Sequence, residues 1–299
     1  MSEEKKGELY LFGSTLFWAA FPVVAKITLA TVPLFIVIAW TTGFSCLFFL
    51  SISIYRKKLA ELRQPKLWRY LLFVALFLGV LFYFFYFTGL SYSTPGNVAI
   101  LALFEVFTSF VVFNLWRKEP FLLEYKIGTL CMLIGASLVL FKNASGFQIG
   151  DILIILATCV APFGNIFQKK AREIASSETI LFVRTLIATP VLFLLAYIFE
   201  GRIYDASIQT HIFSLLLIGI FFLGLSKLFW IESIHRMSVT KAAALSSFGP
   251  FLTLVFAWML LQDAPTLVQV VSLPVFITGV LLLTNNIKLK KHSSFNNSL

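Results

Sequence analysis

The sequence predicts an all-α membrane protein with ten transmembrane helices, arranged as two inverted repeats of five. Three observations carry this. The 299 residues are 59% hydrophobic and only 13% charged, with a mean hydropathy of +0.90, whereas a soluble domain carries roughly 25% charged residues. The apolar residues come in runs of about 20, the length that crosses a roughly 30 Å hydrocarbon core. The runs also fall into two blocks, 9–143 and 149–285. With five spans per block, the second block must enter the membrane from the opposite side. Segments of about ten residues with alternating hydrophobicity, the sign of a β-barrel, are absent from the sequence.

In chain order the predicted spans are Leu9–Thr28, Pro33–Tyr55, Tyr70–Tyr92, Thr94–Trp116, Leu122–Phe141, Ile149–Gln168, Thr179–Phe199, Ile212–Ile231, Ala242–Gln262 and Ala264–Thr284. Several connections are a few residues long, so those neighbours pack as antiparallel hairpins. Residues 1–8 form a short polar tail with no small-residue cleavage site after the first apolar run, which reads as a retained first helix. Residues 286–299 form a polar C-terminal tail.

The net charge of +10 is explained by where the basic residues lie. If the N-terminus is cytoplasmic, the loops on that side carry Arg56, Lys57, Lys58, Arg63, Lys66, Arg69, Arg117, Lys118, Lys126, Lys169, Lys170, Arg172, Arg236 and Lys241. The other side carries Lys26, Lys142 and Arg202. The positive-inside rule then places both termini in the cytoplasm of a multi-pass inner (plasma) membrane protein. No aromatic-interleaved basic module accompanies these loops, so the charge does not signal nucleic acid. The cysteines Cys46, Cys131 and Cys159 share no ligand spacing, and the histidines form no cluster. Neither a metal site nor a cofactor is expected.

A shift of 144 or 145 residues superposes the blocks. Lys26 meets Lys170, Ile36 meets Ile180, Gly135 meets Gly279, and Ala99, Thr108 and Leu115 meet Ala244, Thr253 and Leu260. Inverted repeats of this kind let carriers build two access states around one central site. Several segments also carry a family signature. They are Phe17-Trp18-Ala19-Ala20-Phe21-Pro22 ending in Lys26, Leu181-Phe182-Val183-Arg184, and Ala99-Ile100-Leu101-Ala102-Leu103-Phe104-Glu105 followed by Trp116 and Glu119. The counterpart of the last is Ala243-Ala244-Leu245-Ser246-Ser247-Phe248-Gly249-Pro250 followed by Asp263, and glycines 128, 135 and 279 complete the set. Over nearly the whole chain the sequence resembles the EamA-type branch of the drug/metabolite transporter superfamily. The resemblance implies a central cavity lined by helices one, three, four, six, eight and nine, with helices five and ten supporting. It departs from the family pattern at Trp40, where Arg is common, and at Glu105, where Pro is common. The second block keeps Arg184 and Pro250 at those places.

Glu105 is the sharpest site candidate. It lies eleven residues from either end of span four, about 16 Å from each interface at 1.5 Å per residue. A carboxylate at that depth costs roughly 2.5–3.5 kcal/mol on insertion scales, so it should face a cavity or a partner. It reads as a counter-charge for a cationic substrate group or as a protonatable coupling residue. Arg184 and Lys227 lie nearer the interfaces. Their stems can snorkel to the interface, or they can serve as substrate ligands. Trp18, Tyr83, Trp40 and Trp230 are further candidates, able to stack a ring or enclose a cation, and Asn97 and Asn165 can supply hydrogen bonds. Pro22, Pro162 and Pro250 are candidate gating bends, and Pro190 and Pro274 also interrupt spans.

The expected function is a secondary transporter for a small polar metabolite. That metabolite would be an amino acid or a ring-bearing, partly cationic compound, of which S-adenosylmethionine is one concrete case. The expected partners are that substrate, the lipid bilayer, a coupling proton or counter-substrate, and no nucleic acid, with the chain a monomer or homodimer. A non-transporting scaffold or lipid flippase of the same fold is the alternative. An enzyme is not expected, because the spans offer isolated charges rather than a convergent set of His, Asp or Cys.

Overall fold

The structure, a computed structural model, describes residues 2–117, 123–141, 148–237 and 239–284. Lys118, Glu119, the predicted span start at Leu122, Lys142 and the tail from Ile287 lie outside the described residues, as do the side chains of Leu115, Trp116, Ala243 and Ala244. The described chain is built from helices: α1 (Glu3–Leu29), α2 (Leu34–Tyr55), α3 (Pro65–Ser91), α4 (Pro95–Ala102), α5 (Phe104–Arg117), α6 (Leu123–Leu140), α7 (Ile149–Arg172), α8 (Ser177–Glu200), α9 (Ser207–Arg236), α10 (Val239–Ser246), α11 (Gly249–Leu261) and α12 (Leu267–Leu283). Among the described residues, eight helical stretches are long and apolar enough to cross a membrane, with α4 and α5 counted as one stretch over Pro95–Val112. The apolar α11 and α12 are shorter. Large apolar side chains such as Phe213 (76% exposed) and Met259 (65%) point outward, as they do where lipid is the solvent. The protein is a multi-pass membrane protein.

Two predicted spans are not continuous. Span nine divides into α10 and α11, and Pro250 sits in the first turn of α11, where a proline without an N–H is well tolerated. Span four divides at Leu103, which the 145-residue shift places on Phe248, the residue just before α11. Spans three and eight each contain a π-helical segment, Ala75–Leu81 in α3 and Leu217–Leu225 in α9. These occur at corresponding places, since a shift of 144 carries 75–81 onto 219–225. Such widened turns often lie at functional sites.

The principal packing partners come from opposite halves of the chain. Helix α2 lies along α8, α6 along α12, α1 along α9 and α11, and α7 along α3 and α5. The halves are therefore interleaved rather than set side by side. Between helices in lipid there is no hydrophobic drive to associate, so close backbone approach at small residues supplies the contact energy. A Cβ on Gly150 would come within 2.6 Å of the Gly89 carbonyl oxygen, joining α7 to α3. One on Gly7 would come within 3.0 Å of Arg236 Cβ, joining α1 to α9. At α6–α12 a Cβ on Gly128 or Gly279 would lie 3.1 Å from the other glycine's carbonyl oxygen, and one on Gly135 would lie 2.7 Å from the Phe276 ring. This pair of helices forms the buttress that the glycines suggest.

Polar ties close the ends. Arg56 forms an ion pair with Glu178, and Glu61 accepts from both the backbone N–H and the hydroxyl of Ser176, each at 2.8 Å. Lys241 reaches Glu4 and Glu8 at 2.6 Å each. Lys26, expected as an interface anchor, donates to the carbonyls of Leu90, Ser91 and Ser93 at 2.8–2.9 Å and so caps the end of α3.

Replacing Gly135 with Leu should destabilise the protein by about 1–3 kcal/mol through overpacking against the buried Phe276 ring, read as a lower melting temperature in detergent. Gly43→Ala, whose Cβ would meet nothing closer than 3.7 Å, should leave it unchanged or raise it slightly.

Candidate functional site

The site is assembled from six helices. Trp18 lies on α1, four residues before Pro22, and packs against Phe21 (ring centroids 5.0 Å apart) and Tyr86 (5.8 Å). Lys227, on the last third of α9, sets its ammonium 3.5 Å from the centroid of the Trp18 ring. Glu105 opens α5 and accepts a 3.0 Å hydrogen bond from Asn165 Nδ2 on α7. Arg184 on α8 donates to the Tyr83 hydroxyl at 3.1 Å, with its guanidinium carbon 5.7 Å from the Tyr83 ring centroid. Tyr83 and Tyr86 sit one turn apart on α3, just after the π segment Ala75–Leu81, and both rings flank Phe82.

The charges form one electrostatic group. Lys227 is attracted by Glu105 and repelled by Arg184, so it links the ionisable groups of α5 and α8. A cation over an aromatic face gains most when it is shielded from water. Trp18, Glu105, Asn165 and Lys227 each keep part of their surface accessible. Tyr83 and Tyr86 are fully buried, and the Tyr86 hydroxyl and Arg184 Nε have no hydrogen-bond partner among the described residues.

The structure thus brings together Glu105, Asn165, Lys227, Trp18, Arg184 and Tyr83, drawn from both halves of the chain. Neither Arg184 nor Lys227 snorkels. Arg184 is 4% exposed and held by Tyr83, and Lys227 turns inward onto Trp18. Three candidates have other partners. Trp40 donates its indole N–H to the Ile203 carbonyl at 2.9 Å and packs on Phe193 and Phe44. Trp230 packs toward Leu11, Met237 and Ala242, one turn beyond Lys227. Asn97 joins a separate buried cluster, donating to Asp151 and accepting from Gln269 Nε2 at 2.8 Å. Pro22 and Pro162 are buried inside α1 and α7, each within a turn of a site residue, Trp18 or Asn165.

That second cluster was not anticipated. Asp151, 1% exposed in the first turn of α7, accepts from Ser93 Oγ and from Asn97 Nδ2, while Gln269 also completes a capping box with Thr266 at the start of α12. It ties α3, α4, α7 and α12 at one end of the bundle. An acidic residue placed directly at the start of an apolar run was the available sign of it.

Comparison with known proteins places this architecture. The sequence model of the EamA-like transporter family matches residues 5–141 and again 148–285. The chain is similar to two uncharacterized transporters of Bacillus subtilis (strain 168): YvbV, 23% identical over 78% of this chain and 77% of that protein, and YoaV, 21% identical over 92% and 96%. A solved crystal structure, 18% identical, shares the fold with a TM-score of 0.69, covering 94% of this chain and 97% of that one.

Asp151→Leu removes the acceptor of two buried donors, Ser93 Oγ and Asn97 Nδ2, and should cost roughly 1–3 kcal/mol per orphaned group. The expected result is a clear fall in melting temperature, with Asp151→Asn, which keeps one acceptor oxygen, falling less.

Proposed function

Because the chain belongs to the EamA-like transporter family, we propose that it is a secondary carrier of a small polar metabolite. It works by alternating access around the cluster of Trp18, Glu105, Asn165 and Lys227. The observation that carries this reading is the polar cluster: ionisable and hydrogen-bonding side chains from both halves of the chain meet within an apolar bundle, each partly accessible. Charged groups there are costly and mark substrate paths.

The proposed architecture is ten membrane helices related by a pseudo-two-fold axis. Several correspondences support it. Helix α1 packs on α9 as α7 packs on α3, while α2–α8 and α6–α12 pair across the axis. Thr108 on α5 donates to the Thr158 carbonyl of α7 at 2.7 Å, and its counterpart Thr253 on α11 donates to the Ala19 carbonyl of α1 at 2.9 Å. Together with the paired helix breaks and π segments, these suit a carrier whose two halves exchange conformations. Pro22 and Pro162 act as the bends beside the cluster, and Pro250 marks the break before α11. Both termini face the cytoplasm of the inner membrane, and transport is coupled to a proton or a counter-substrate.

The expectation of a partly cationic substrate such as S-adenosylmethionine took Glu105 as the counter-charge. With Lys227 and Arg184 acting on the same space, a cation is disfavoured. The substrate class we propose is a small metabolite bearing a carboxylate, amino acids included. Reconstituted protein should show saturable counterflow of at least one radiolabelled amino or organic acid, and Glu105→Gln should reduce it about ten-fold or more while leaving melting behaviour near wild type. Absence of any saturable flux, together with full tolerance of Glu105→Ala, would point instead to a scaffold or flippase.

A further inference from the structure

The centre of the bundle holds hydrogen-bond donors that the described residues do not satisfy. Lys227 has three N–H donors and no hydrogen-bond acceptor among the described residues, its ammonium lying over the Trp18 ring face. Arg184 spends one N–H on the Tyr83 hydroxyl, and its Nε is buried without a partner among the described residues, as is the Tyr86 hydroxyl. On the acceptor side stands Glu105 alone, with Oε1 already taken by Asn165. Counted with all three groups ionised, two cations and one carboxylate give a formal charge of +1. A buried charge without a partner is costly, whereas one paired with a hydrogen-bonding counter-ion is not.

We infer that the ligand supplies the missing acceptor: it is a net monoanionic organic acid whose carboxylate binds the Lys227 ammonium, with the Arg184 charge behind it. This inference rests on the carrier reading of the same cluster and specifies which chemistry it selects. A monoanion brings the site to neutrality, a zwitterion leaves it at +1, and a cation raises it to +2. The accessible surface is consistent with this. Lys227 keeps part of its surface accessible, whereas the Arg184 and Tyr86 donors are buried and act through their charge and dipole. Trp18 offers an aromatic neighbour for an apolar or ring-bearing remainder of the ligand.

Ligands matched in shape but not in charge test this. In detergent, the purified protein is titrated with 3-phenylpropionate, phenylalanine and phenethylamine, which share a phenylethyl frame, and with ring-free 4-methylpentanoate, leucine and isoamylamine, which share an isopentyl frame. Binding is read as a rise in melting temperature. Within each frame the carboxylate should bind about ten-fold or more tighter than the zwitterion, and the amine weakest. Lys227→Gln should erase the advantage of the carboxylate over the zwitterion, and Lys227→Arg, which keeps the charge, should preserve it. If Lys227→Gln fails to fold, the Lys227→Arg and wild-type orders still decide the matter. The inference is overturned if neither carboxylate binds, if an amine binds as tightly as its carboxylate, or if a folded Lys227→Gln variant keeps the order. Counterflow in proteoliposomes separates the two claims. Carboxylate binding without flux retains the anion site and removes the carrier, while saturable flux of an amine in preference to its carboxylate does the reverse.

Discussion

Everything at the centre of this protein depends on helices from opposite halves of the chain approaching one another closely. Gly7 and Gly13 let α1 lie against α9, and Gly89, Gly150 and Gly164 let α3 lie against α7. A Cβ on Gly164 would fall 2.4 Å from Leu78, so even alanine there would push the helices apart. Lys227 is on α9 and Trp18 on α1, and Glu105 meets Asn165 of α7. If these crossings were looser by the width of a methyl group, the ammonium would lose the aromatic face and the carboxylate its amide partner. In a bilayer, where apolar surface gains nothing by turning from lipid to protein, such small-residue contacts are what association depends on.

The buried charges follow from that packing. A long cationic side chain near a membrane interface ordinarily extends toward the headgroups, because the alternative is an unsolvated charge. Lys227 and Arg184 turn inward instead, because the bundle offers each a specific partner: the Trp18 ring for one, the Tyr83 hydroxyl and ring for the other. Glu105 completes the group with the opposite sign. The result is a polar interior that the protein satisfies incompletely, in contrast to the Asp151 cluster at the bundle end, where carboxylate, amides and hydroxyls use one another up. The first arrangement suits a ligand site and the second a structural tie.

The internal repeat explains why these features are paired and also where the pairing fails. Thr108 and Thr253, the breaks at Leu103 and Phe248, and the two π segments match between halves. Trp40 against Arg184 and Glu105 against Pro250 do not. In each mismatch one member supplies a charge to the interior group while the other does something local: Trp40 bonds the Ile203 carbonyl, and Pro250 starts a helix. Divergence of the halves has made the centre chemically one-sided within a nearly symmetric frame.

By itself the sequence determined the solvent this protein folds in, the apolar segments in order, their doubled arrangement as an expectation, and the depth of Glu105, because these depend on composition, run length and local spacing alone. It also identified Trp18, Tyr83, Asn165, Arg184 and Lys227 as residues able to carry chemistry. Only the tertiary structure decided which of them meet. Lys227 and Trp18 are 209 positions apart, and Glu105 and Asn165 sixty, so their contact depends on which helices cross and how each is rotated about its axis. The same rotation takes Trp40 and Asn97 to other partners, a matter that hydrophobicity running nearly all round each helix leaves unmarked. That a basic group from another span acts on Glu105 was likewise a tertiary property: Lys227 does so from α9.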